Sequence, residues 1–311
     1  MSSAWDGLLN NKEKTELPHY ALNKKLPADS FFTSKDTAEK CLSIAMDYFQ
    51  KNNVNTNEFF FIEPGAGDGG FYDILPHNNK IGIDIINRRK DVINANFLEW
   101  YPNEDKKYIS IGNPPFGVRG AIALAFINRC FLFSEYVAFI LPMSFHSNGK
   151  GSNMKRVTGG HLVVSEILEN EKYYSPDNQK EIKVNTLFQI WKKGEGLGLF
   201  NDYNTSEYID IFTVCSAPDR MCGLDKIGKY DFYVSSSFFG EYLPTVYNFS
   251  DVKYGSGYGV IIKKNKEQIL PLLKLVNWNN YCSLATNSCK HVRKHNIENC
   301  IFDLGFGFLE K

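Results

Sequence analysis

The sequence predicts an α/β domain built on a doubly wound, largely parallel sheet, followed by a smaller α+β region. Short apolar runs alternate with segments whose apolar residues recur at helical spacing. A glycine-rich turn follows the first run, and polar residues stand where the later runs end. Because the carboxyl ends of parallel strands meet at one edge of such a sheet, we expect these polar residues to form a ligand site there.

The elements of this domain follow one another along the chain. A helix is predicted before the first strand, because apolar residues recur three or four positions apart at Ala38, Cys41, Leu42, Ala45, Met46 and Phe49. Strands are predicted at Glu58 to Ile62, Ile81 to Ile83, Tyr108 to Gly112, Tyr136 to Leu141, His161 to Leu168 and Val184 to Trp191. These runs predict a sheet of six or seven strands.

The first strand runs into the turn Glu63-Pro64-Gly65-Ala66-Gly67. Glycines let backbone amides approach a ligand, and we expect the turn to open a helix whose N-terminus favours negative charge. The second strand ends in Asp84, where an acidic residue usually accepts hydrogen bonds from ribose hydroxyls; the alternative is a helix N-cap or a solvated turn residue. A Gly-x-Gly turn by itself is not specific.

The third strand ends in Asn113-Pro114-Pro115-Phe116, the most informative run in the chain. Two prolines end the strand and hold an extended turn. Such a turn places the Asn113 side-chain oxygen beside a proline carbonyl, so one exocyclic amino group can donate to both. Phe116 offers a face for a flat ring, although a proline-stiffened loop with a buried Phe is the alternative.

In this order the motifs resemble those of the S-adenosylmethionine-dependent amino-methyltransferases, most closely the γ-type N6-adenine DNA methyltransferases of restriction–modification systems and phages. The resemblance covers about residues 25 to 195 and implies a Rossmann-like methyltransferase sheet. It also includes Pro142-Met143-Ser144-Phe145, which corresponds to a family element that shapes the pocket floor.

The resemblance implies S-adenosylmethionine as the cofactor and assigns the residues around it. The implied cofactor-binding residues are Phe32, Thr33, Glu63, Pro64, Gly65, Ala66, Gly67, Asp84, Ile85, Asn96, Phe97 and Asn113. Asp84 would bind the ribose hydroxyls, and Asn96-Phe97 would hold the adenine. The chain departs from the family at Ser34, where a proline is usual, and at Asn96, where Asp is common.

The same resemblance assigns the target base. Asn113, Pro114, Pro115 and Phe116 would form the catalytic turn, with Phe116 and either Tyr173 or Tyr174 stacking on a flipped adenine. An exposed loop is the alternative for the two tyrosines. Phe188 and Trp191 are expected in the core.

Composition is that of a soluble cytoplasmic protein with no membrane partner. Hydrophobic residues make up 43% of the chain, yet no apolar run approaches the ~20 residues of a membrane span. The first residues lack the apolar stretch of a signal peptide. Seven cysteines without regular pairing suggest reduced thiols. No metal is expected, because the cysteines and histidines between Cys282 and Cys300 include no Cys-x-x-Cys pair.

The net charge gives no support for a nucleic-acid partner, because Lys+Arg and Asp+Glu both number 35. Local basic clusters exist, and the best candidate for phosphate contact is the flexible segment with Lys150, Lys155 and Arg156. Double-stranded DNA is the expected partner and RNA is possible. The oligomeric state is not predicted.

We expect three regions: an N-terminal extension (1–24), a cofactor-binding catalytic domain (25–195) and a target-recognition region (196–311). The leading functional hypothesis is site-specific methylation of adenine N6 in DNA. Methylation of adenine in RNA comes second, because the same tetrapeptide serves RNA adenines in related families. A non-catalytic nucleic-acid-binding subunit with the same fold is the third hypothesis.

Overall fold

The computed structural model describes residues 31–76, 78–147, 151–175, 181–196, 199, 203–218, 221–226, 228–240, 245–247, 256–284 and 289–309. The chain divides into two compact units, one formed by Met1–Phe145 and Gly151–Leu199 and the other by His146–Lys150 and Phe200–Lys311. The expected N-terminal extension (1–24) and Lys150 lie outside the described residues.

Among the described residues, the first unit contains eight strands and two helices. They are β1 (Phe32–Thr33), α1 (Lys35–Lys51), β2 (Phe59–Pro64), β3 (Lys80–Asp84), β4 (Ile93–Asn94), β5 (Lys107–Gly112), α2 (Ala121–Cys130), β6 (Ser134–Pro142), β7 (Gly160–Tyr174) and β8 (Glu181–Lys193).

All eight strands form one sheet with the order β1-β7-β8-β6-β5-β2-β3-β4. Five neighbouring strands of this sheet run parallel to one another: β4, β3, β2, β5 and β6. β8 is antiparallel to both β6 and β7 and is therefore inserted in reverse between two strands of common direction. The predicted doubly wound α/β sheet is confirmed. It has more strands than predicted because the two-residue strands β1 and β4 add to its two edges.

Helix α1 covers the sheet with the apolar face that the sequence predicted. Ala38, Cys41, Ala45 and Phe49 are fully buried and belong to the same core as the inner residues of the sheet. The helix begins at Ser34, whose Oγ accepts a hydrogen bond from the Thr37 amide at 3.3 Å. A cap of this kind contributes about 1 kcal/mol.

The expected helix after the glycine turn is wrong. Gly65, Gly67 and Gly69 have φ angles of +72°, +53° and +98°, which lie in the left-handed region and cannot continue into a right-handed helix. Only a short 3₁₀ turn follows, at Tyr72–Ile74. The predicted helix N-terminus is therefore not the feature that would attract an anion here.

The second unit has an α+β composition. Its elements are β9 (Tyr203–Asn204), β10 (Ile209–Cys215), β11 (Phe232–Ser235), β12 (Ser237–Phe238), β13 (Thr245–Val246), β14 (Ser256–Ile262), α3 (Lys266–Leu273), β15 (Ser283–Leu284), β16 (Lys290–His291), α4 (Lys294–Asp303) and β17 (Phe308–Leu309). They form a four-stranded antiparallel sheet β10-β14-β11-β13 and two small sheets, β12-β16-β15 and β17-β9. Trp278, Phe232 and Ile301 are among the residues of its own buried core.

The described residues contain neither a membrane-spanning helix nor a cluster of metal-ligating side chains. No helix among them is long and apolar enough to cross a membrane. Within the same part of the chain, no three His, Cys, Asp or Glu side chains come together in a way that could hold a metal ion.

Candidate active site

Three strand ends meet at one edge of the large sheet. β5, β2 and β3 are neighbours and parallel, so the glycine turn after β2, Asp84 at the end of β3 and Asn113 after β5 share the carboxyl edge. The amides of Gly65 and Ala66 donate to the Ile83 carbonyl at 2.8 and 3.0 Å, which joins the turn directly to β3.

The glycine turn packs so closely on its neighbours that side chains are excluded at two positions. A Cβ atom on Gly65 would lie 3.3 Å from Cδ of Pro115, and one on Gly67 would lie 2.8 Å from a ring carbon of Phe32. The turn therefore touches both the proline pair of the tetrapeptide and the short strand β1. Ala66 and Gly67 are buried, and Gly65 is half-buried.

Asp84 ties the end of β3 to the glycine turn. Its Oδ2 accepts from the Gly67 amide at 2.8 Å and its Oδ1 from the Ile86 amide at 2.7 Å. Oδ1 also lies 3.7 Å from the Arg88 guanidinium. A carboxylate oxygen has more than one acceptor position, so Oδ2 keeps capacity for a further donor. The next residue, Ile85, is 68% exposed and offers an apolar surface beside the carboxylate.

Glu63 lies beneath the turn rather than on its surface. The side chain is buried, and it accepts hydrogen bonds from the amides of Tyr72 at 2.5 Å and Phe71 at 3.4 Å. Burial raises the pKa of the Glu63 carboxyl well above its usual value, and the two amides oppose that rise. The observed contacts of Glu63 therefore hold the turn's own backbone.

We expect Glu63→Gln to remove a pH dependence of stability. In the unfolded chain the Glu63 carboxyl loses its proton near the usual pKa of about 4.3. In the folded chain the raised pKa keeps the carboxyl protonated to higher pH. Above about 4.3 the unfolded state binds fewer protons, so the free energy of unfolding falls as pH rises toward the folded pKa. Each unit of the rise corresponds to about 1.4 kcal/mol.

Urea titrations of both proteins from about pH 4.5 to pH 8 measure this effect, because every other carboxyl is common to the two. The wild-type protein should lose more stability across the window than the Gln variant. Parallel stability curves would mean that Glu63 is ionised in the folded protein.

The side-chain nitrogen of Asn113 is hydrogen-bonded, whereas its side-chain oxygen has no partner among the described residues. Nδ2 donates to Thr33 Oγ1 at 3.1 Å and to the Phe31 carbonyl at 3.3 Å. Oδ1 is buried and has no hydrogen-bond partner among the described residues. The tetrapeptide itself is anchored through the Phe116 carbonyl, which accepts from the Ile122 amide at 3.1 Å near the start of α2. The Phe116 ring is half-buried against the core.

The two candidate stacking tyrosines differ in position, because β7 runs on to Tyr174 and successive residues of a strand point to opposite faces. Tyr173 is 2% exposed, and its hydroxyl bonds Thr186 Oγ1 at 2.7 Å in the core, so this conformation offers no face to a base. Tyr174 is partly exposed and donates to Asp68 Oδ2 at 2.6 Å. Burial, followed by the bond to Asp68, raises the pKa of Tyr174 to about 12.

Tyr174 also connects β1 with the glycine turn. Its ring meets that of Phe32 edge to face, with centroids 5.7 Å apart, while its hydroxyl reaches Asp68 in the turn. Neither tyrosine lies in the exposed loop that was the alternative, since both belong to β7.

Asn96 and Phe97 follow β4 near the same edge. Asn96 is exposed, and its Oδ1 accepts from the Leu98 amide at 3.1 Å. The Phe97 ring is buried, with its centroid 4.9 Å from that of Phe126. An adenine at this position would therefore meet the Asn96 side chain or the backbone rather than the Phe97 ring.

The basic residues Lys155 and Arg156 are exposed in a 3₁₀ turn, Met154–Arg156. The preceding residue, Asn153, is buried and donates from Nδ2 to the Arg119 carbonyl at 2.7 Å and to Ser144 Oγ at 3.0 Å. Asn153 thus connects the turn that carries the two basic residues to the segment that directly follows the tetrapeptide.

Two supporting residues were not singled out from the sequence. Asn153 is one, and Arg89 is the other: its guanidinium donates to the Asp68 carbonyl at 2.8 Å and pairs with Asp73 and Asp91 at 2.8 Å. The carboxylates of Asp73 and Asp91 are a signal in the sequence for such an arginine. The position of Asn153 has no comparable signal in the sequence.

The topology identifies the fold of this unit. The five parallel strands β4-β3-β2-β5-β6 are followed in the sheet by β8, which is antiparallel to them, and then by β7, which again runs in their direction. The first unit has a Rossmann-like methyltransferase fold. No family model matches the chain, and no curated protein matches it.

Solved structures give only distant matches. A Pyrococcus horikoshii chain provisionally described as an RNA methyltransferase is 15% identical, with a TM-score of 0.41 over 63% of this chain and 100% of that one. The 23S rRNA methyltransferase ErmE is 15% identical, with a TM-score of 0.35 over 55% and 72%. Magnesium protoporphyrin IX methyltransferase of Synechocystis, solved with S-adenosylmethionine, is 8% identical, with a TM-score of 0.33 over 50% and 79%. At these values the neighbours do not identify an activity, and the fold assignment rests on the strand order.

Proposed function

We propose that this protein transfers a methyl group from S-adenosylmethionine to N6 of adenine in DNA. The observation that carries the proposal is Asn113 Oδ1, a buried acceptor without a partner among the described residues, held in a turn stiffened by two prolines. A buried acceptor is costly unless a donor fills it. An exocyclic amino group is such a donor, and its second hydrogen is directed to the Pro114 carbonyl.

The carboxyl edge fits the proposed cofactor. Gly65 and Gly67 carry no side chain, which allows the close approach to the backbone that a nucleoside with an amino-acid tail requires. Asp84 Oδ2 keeps acceptor capacity for a ribose hydroxyl beyond its bond from the Gly67 amide, whereas Oδ1 already meets the Ile86 amide and the Arg88 guanidinium. Ile85 supplies an exposed apolar surface for the adenine of the cofactor, with Asn96 as a polar neighbour.

When bound, S-adenosylmethionine supplies a methyl group whose bond to sulfur breaks with the electron pair left on sulfur, while the adenine nitrogen forms the new bond and then loses a proton to water. The adenine amino group is a poor nucleophile, because its lone pair is delocalised into the ring. Asn113 Oδ1 and the Pro114 carbonyl accept from its two hydrogens, which favours tetrahedral nitrogen and stabilises developing positive charge. No strong general base is required.

The target base must leave the duplex to reach these acceptors, at a cost of a few kcal/mol. Phe116 and Tyr174 are the proposed stacking partners, and each base–aromatic contact offsets about 1–3 kcal/mol. Tyr173 is withdrawn from this role because its ring is buried. Lys155 and Arg156 are proposed to contact phosphates beside the pocket, since Asn153 joins their turn to the segment after the tetrapeptide.

DNA is proposed over RNA because of the order of the motifs. A Phe-Thr segment precedes the glycine turn, and a separate α+β unit follows the catalytic one, as in the γ-type DNA enzymes that the sequence resembles. The second unit is accordingly proposed to recognise the target sequence. An adenine in RNA would present the same amino group, so RNA remains the outcome that the experiment must separate.

The test is transfer of labelled methyl to unmodified duplex DNA, single-stranded DNA and RNA, followed by nucleoside analysis. We expect N6-methyladenine in DNA. Label found only in RNA would overturn the choice of polymer. Absence of S-adenosylmethionine binding in calorimetry would overturn the enzymatic proposal altogether and favour the non-catalytic hypothesis.

A further inference from the structure

An asparagine amide can point its oxygen or its nitrogen at a ligand, and only one orientation suits the proposed reaction. With Oδ1 toward the substrate, the amide accepts from an amino group; with Nδ2 toward it, two donors would face each other. The surroundings of Asn113 decide between these orientations. The Phe31 carbonyl can only accept, so the side of the amide that faces it must be nitrogen.

Thr33 provides the second and shorter contact to the same nitrogen. Its Oγ1 lies 3.1 Å from Nδ2, against 3.3 Å for the Phe31 carbonyl. Both amide hydrogens are thereby directed away from the orphan oxygen. A rotation of the amide would place Oδ1 against the Phe31 carbonyl oxygen, which repels it.

Thr33 itself is immobilised from three directions. It is 5% exposed and pairs with Tyr173 in the antiparallel register of β1 and β7. A Cβ atom on Gly70 would lie 3.1 Å from the Thr33 carbonyl oxygen, so the end of the glycine turn packs directly on it. The following residue, Ser34, caps α1. The backbone that carries the hydroxyl is therefore packed on three sides.

We propose that Thr33 is a positioning residue for the catalytic amide, which it holds with Oδ1 directed at the substrate amino group. The inference rests on the proposed function and adds to it. The sequence resemblance implied that Thr33 contacts the cofactor, whereas the hydrogen bond to Asn113 couples it to the methyl acceptor. Loss of the hydroxyl should thus affect the rate of transfer and spare the binding of the cofactor.

Thr33→Val removes the acceptor while keeping the shape and the β-branched preference for a strand. We expect kcat of methyl transfer to fall about tenfold, the size of one hydrogen bond, with Kd for S-adenosylmethionine within about twofold of wild type. Thr33→Ser keeps the hydroxyl and should retain most of kcat. Thr33→Ala repeats the loss without the added methyl group, in case the Val variant folds poorly.

Thr37→Val is the matched control. Thr37 is equally buried, and its hydroxyl bonds Glu171 Oε2 at 2.9 Å rather than Asn113, so kcat should not change. Three results would overturn the inference: full kcat in the Val and Ala variants, loss of kcat in the Ser variant as well, or a rise in cofactor Kd that matches the loss of kcat. A wild-type protein that transfers no methyl group would instead overturn the proposed function, and this inference with it.

Discussion

Asn113→Ala is expected to reduce methyl transfer about 10²–10³-fold, the usual cost of removing one charge-stabilising hydrogen-bond partner. The variant loses the side-chain oxygen that is proposed to accept a hydrogen bond from the substrate amine. Its binding of S-adenosylmethionine should stay within about threefold of wild type, because the glycine turn, Asp84 and Ile85 are unchanged. Single-turnover kinetics with unmodified DNA give the transfer rate, and calorimetry gives the affinity.

Asn57→Ala serves as the control for this substitution, since Asn57 is exposed in the short turn before β2, at the opposite end of that strand from the glycine turn. It should leave both measurements unchanged. Equal losses of transfer and of cofactor binding in the Asn113 variant would show that the residue has been placed at the wrong step. The contacts of Nδ2 to Phe31 and Thr33 make this comparison necessary, because they connect Asn113 to the edge strand β1.

Gly67→Ala is expected to weaken S-adenosylmethionine binding at least about tenfold. The residue has φ +53°, which costs an L residue about 1–2 kcal/mol, and a Cβ atom would lie 2.8 Å from Phe32 Cε1. The substitution must therefore displace either the Phe32 ring or the glycine turn. Both belong to the surface that is proposed to hold the cofactor.

The contribution of backbone strain alone is measured with Gly194→Ala. Gly194 has φ +88°, and a Cβ atom there meets nothing within 4 Å. In urea titrations Gly67→Ala should lose at least as much stability as Gly194→Ala, because its Cβ atom also meets Phe32, and only the Gly67 variant should lose cofactor affinity. If Gly67→Ala bound the cofactor as well as Gly194→Ala, the contact between the turn and Phe32 would not shape the site.

The positions of the main strands along the chain could be predicted because local signals bound their apolar runs. The prolines after β5 and the glycines after β2 end their strands through backbone chemistry that operates within a few residues. The helix expected after the glycine turn failed for a related reason. Three glycines in left-handed conformations extend the turn instead of opening a helix.

Ser34 shows how a departure from the family pattern is accommodated. A proline at this position would have no amide hydrogen and would hold φ near −65°. Ser34 adopts φ −62° without the ring, and its hydroxyl caps α1 by accepting from the Thr37 amide. The substitution therefore keeps the local backbone and adds a helix cap, which the sequence pattern alone did not indicate.

The two tyrosines were beyond prediction from the sequence, because their difference depends on pairing with a distant strand. The antiparallel pairing of β7 with β8 continues to Tyr174, and strand alternation then buries one ring and leaves the other partly exposed. A loop at the same residues would have exposed both. The register, and not the residue type, selects Tyr174 for contact with Asp68 and Phe32.

The sequence by itself determined the sheet, the position of the turns at its carboxyl edge and the kinds of side chain that end each strand, because these depend on periodicity and on proline and glycine chemistry. The tertiary structure alone decided which atoms of those side chains are free. Thr33 and Asn113 are 80 residues apart in the chain, yet Asn113 Nδ2 donates to Thr33 Oγ1 and Oδ1 is left without a partner among the described residues. No local pattern encodes that contact, because it exists only once β1 has paired with β7 at the edge of the sheet.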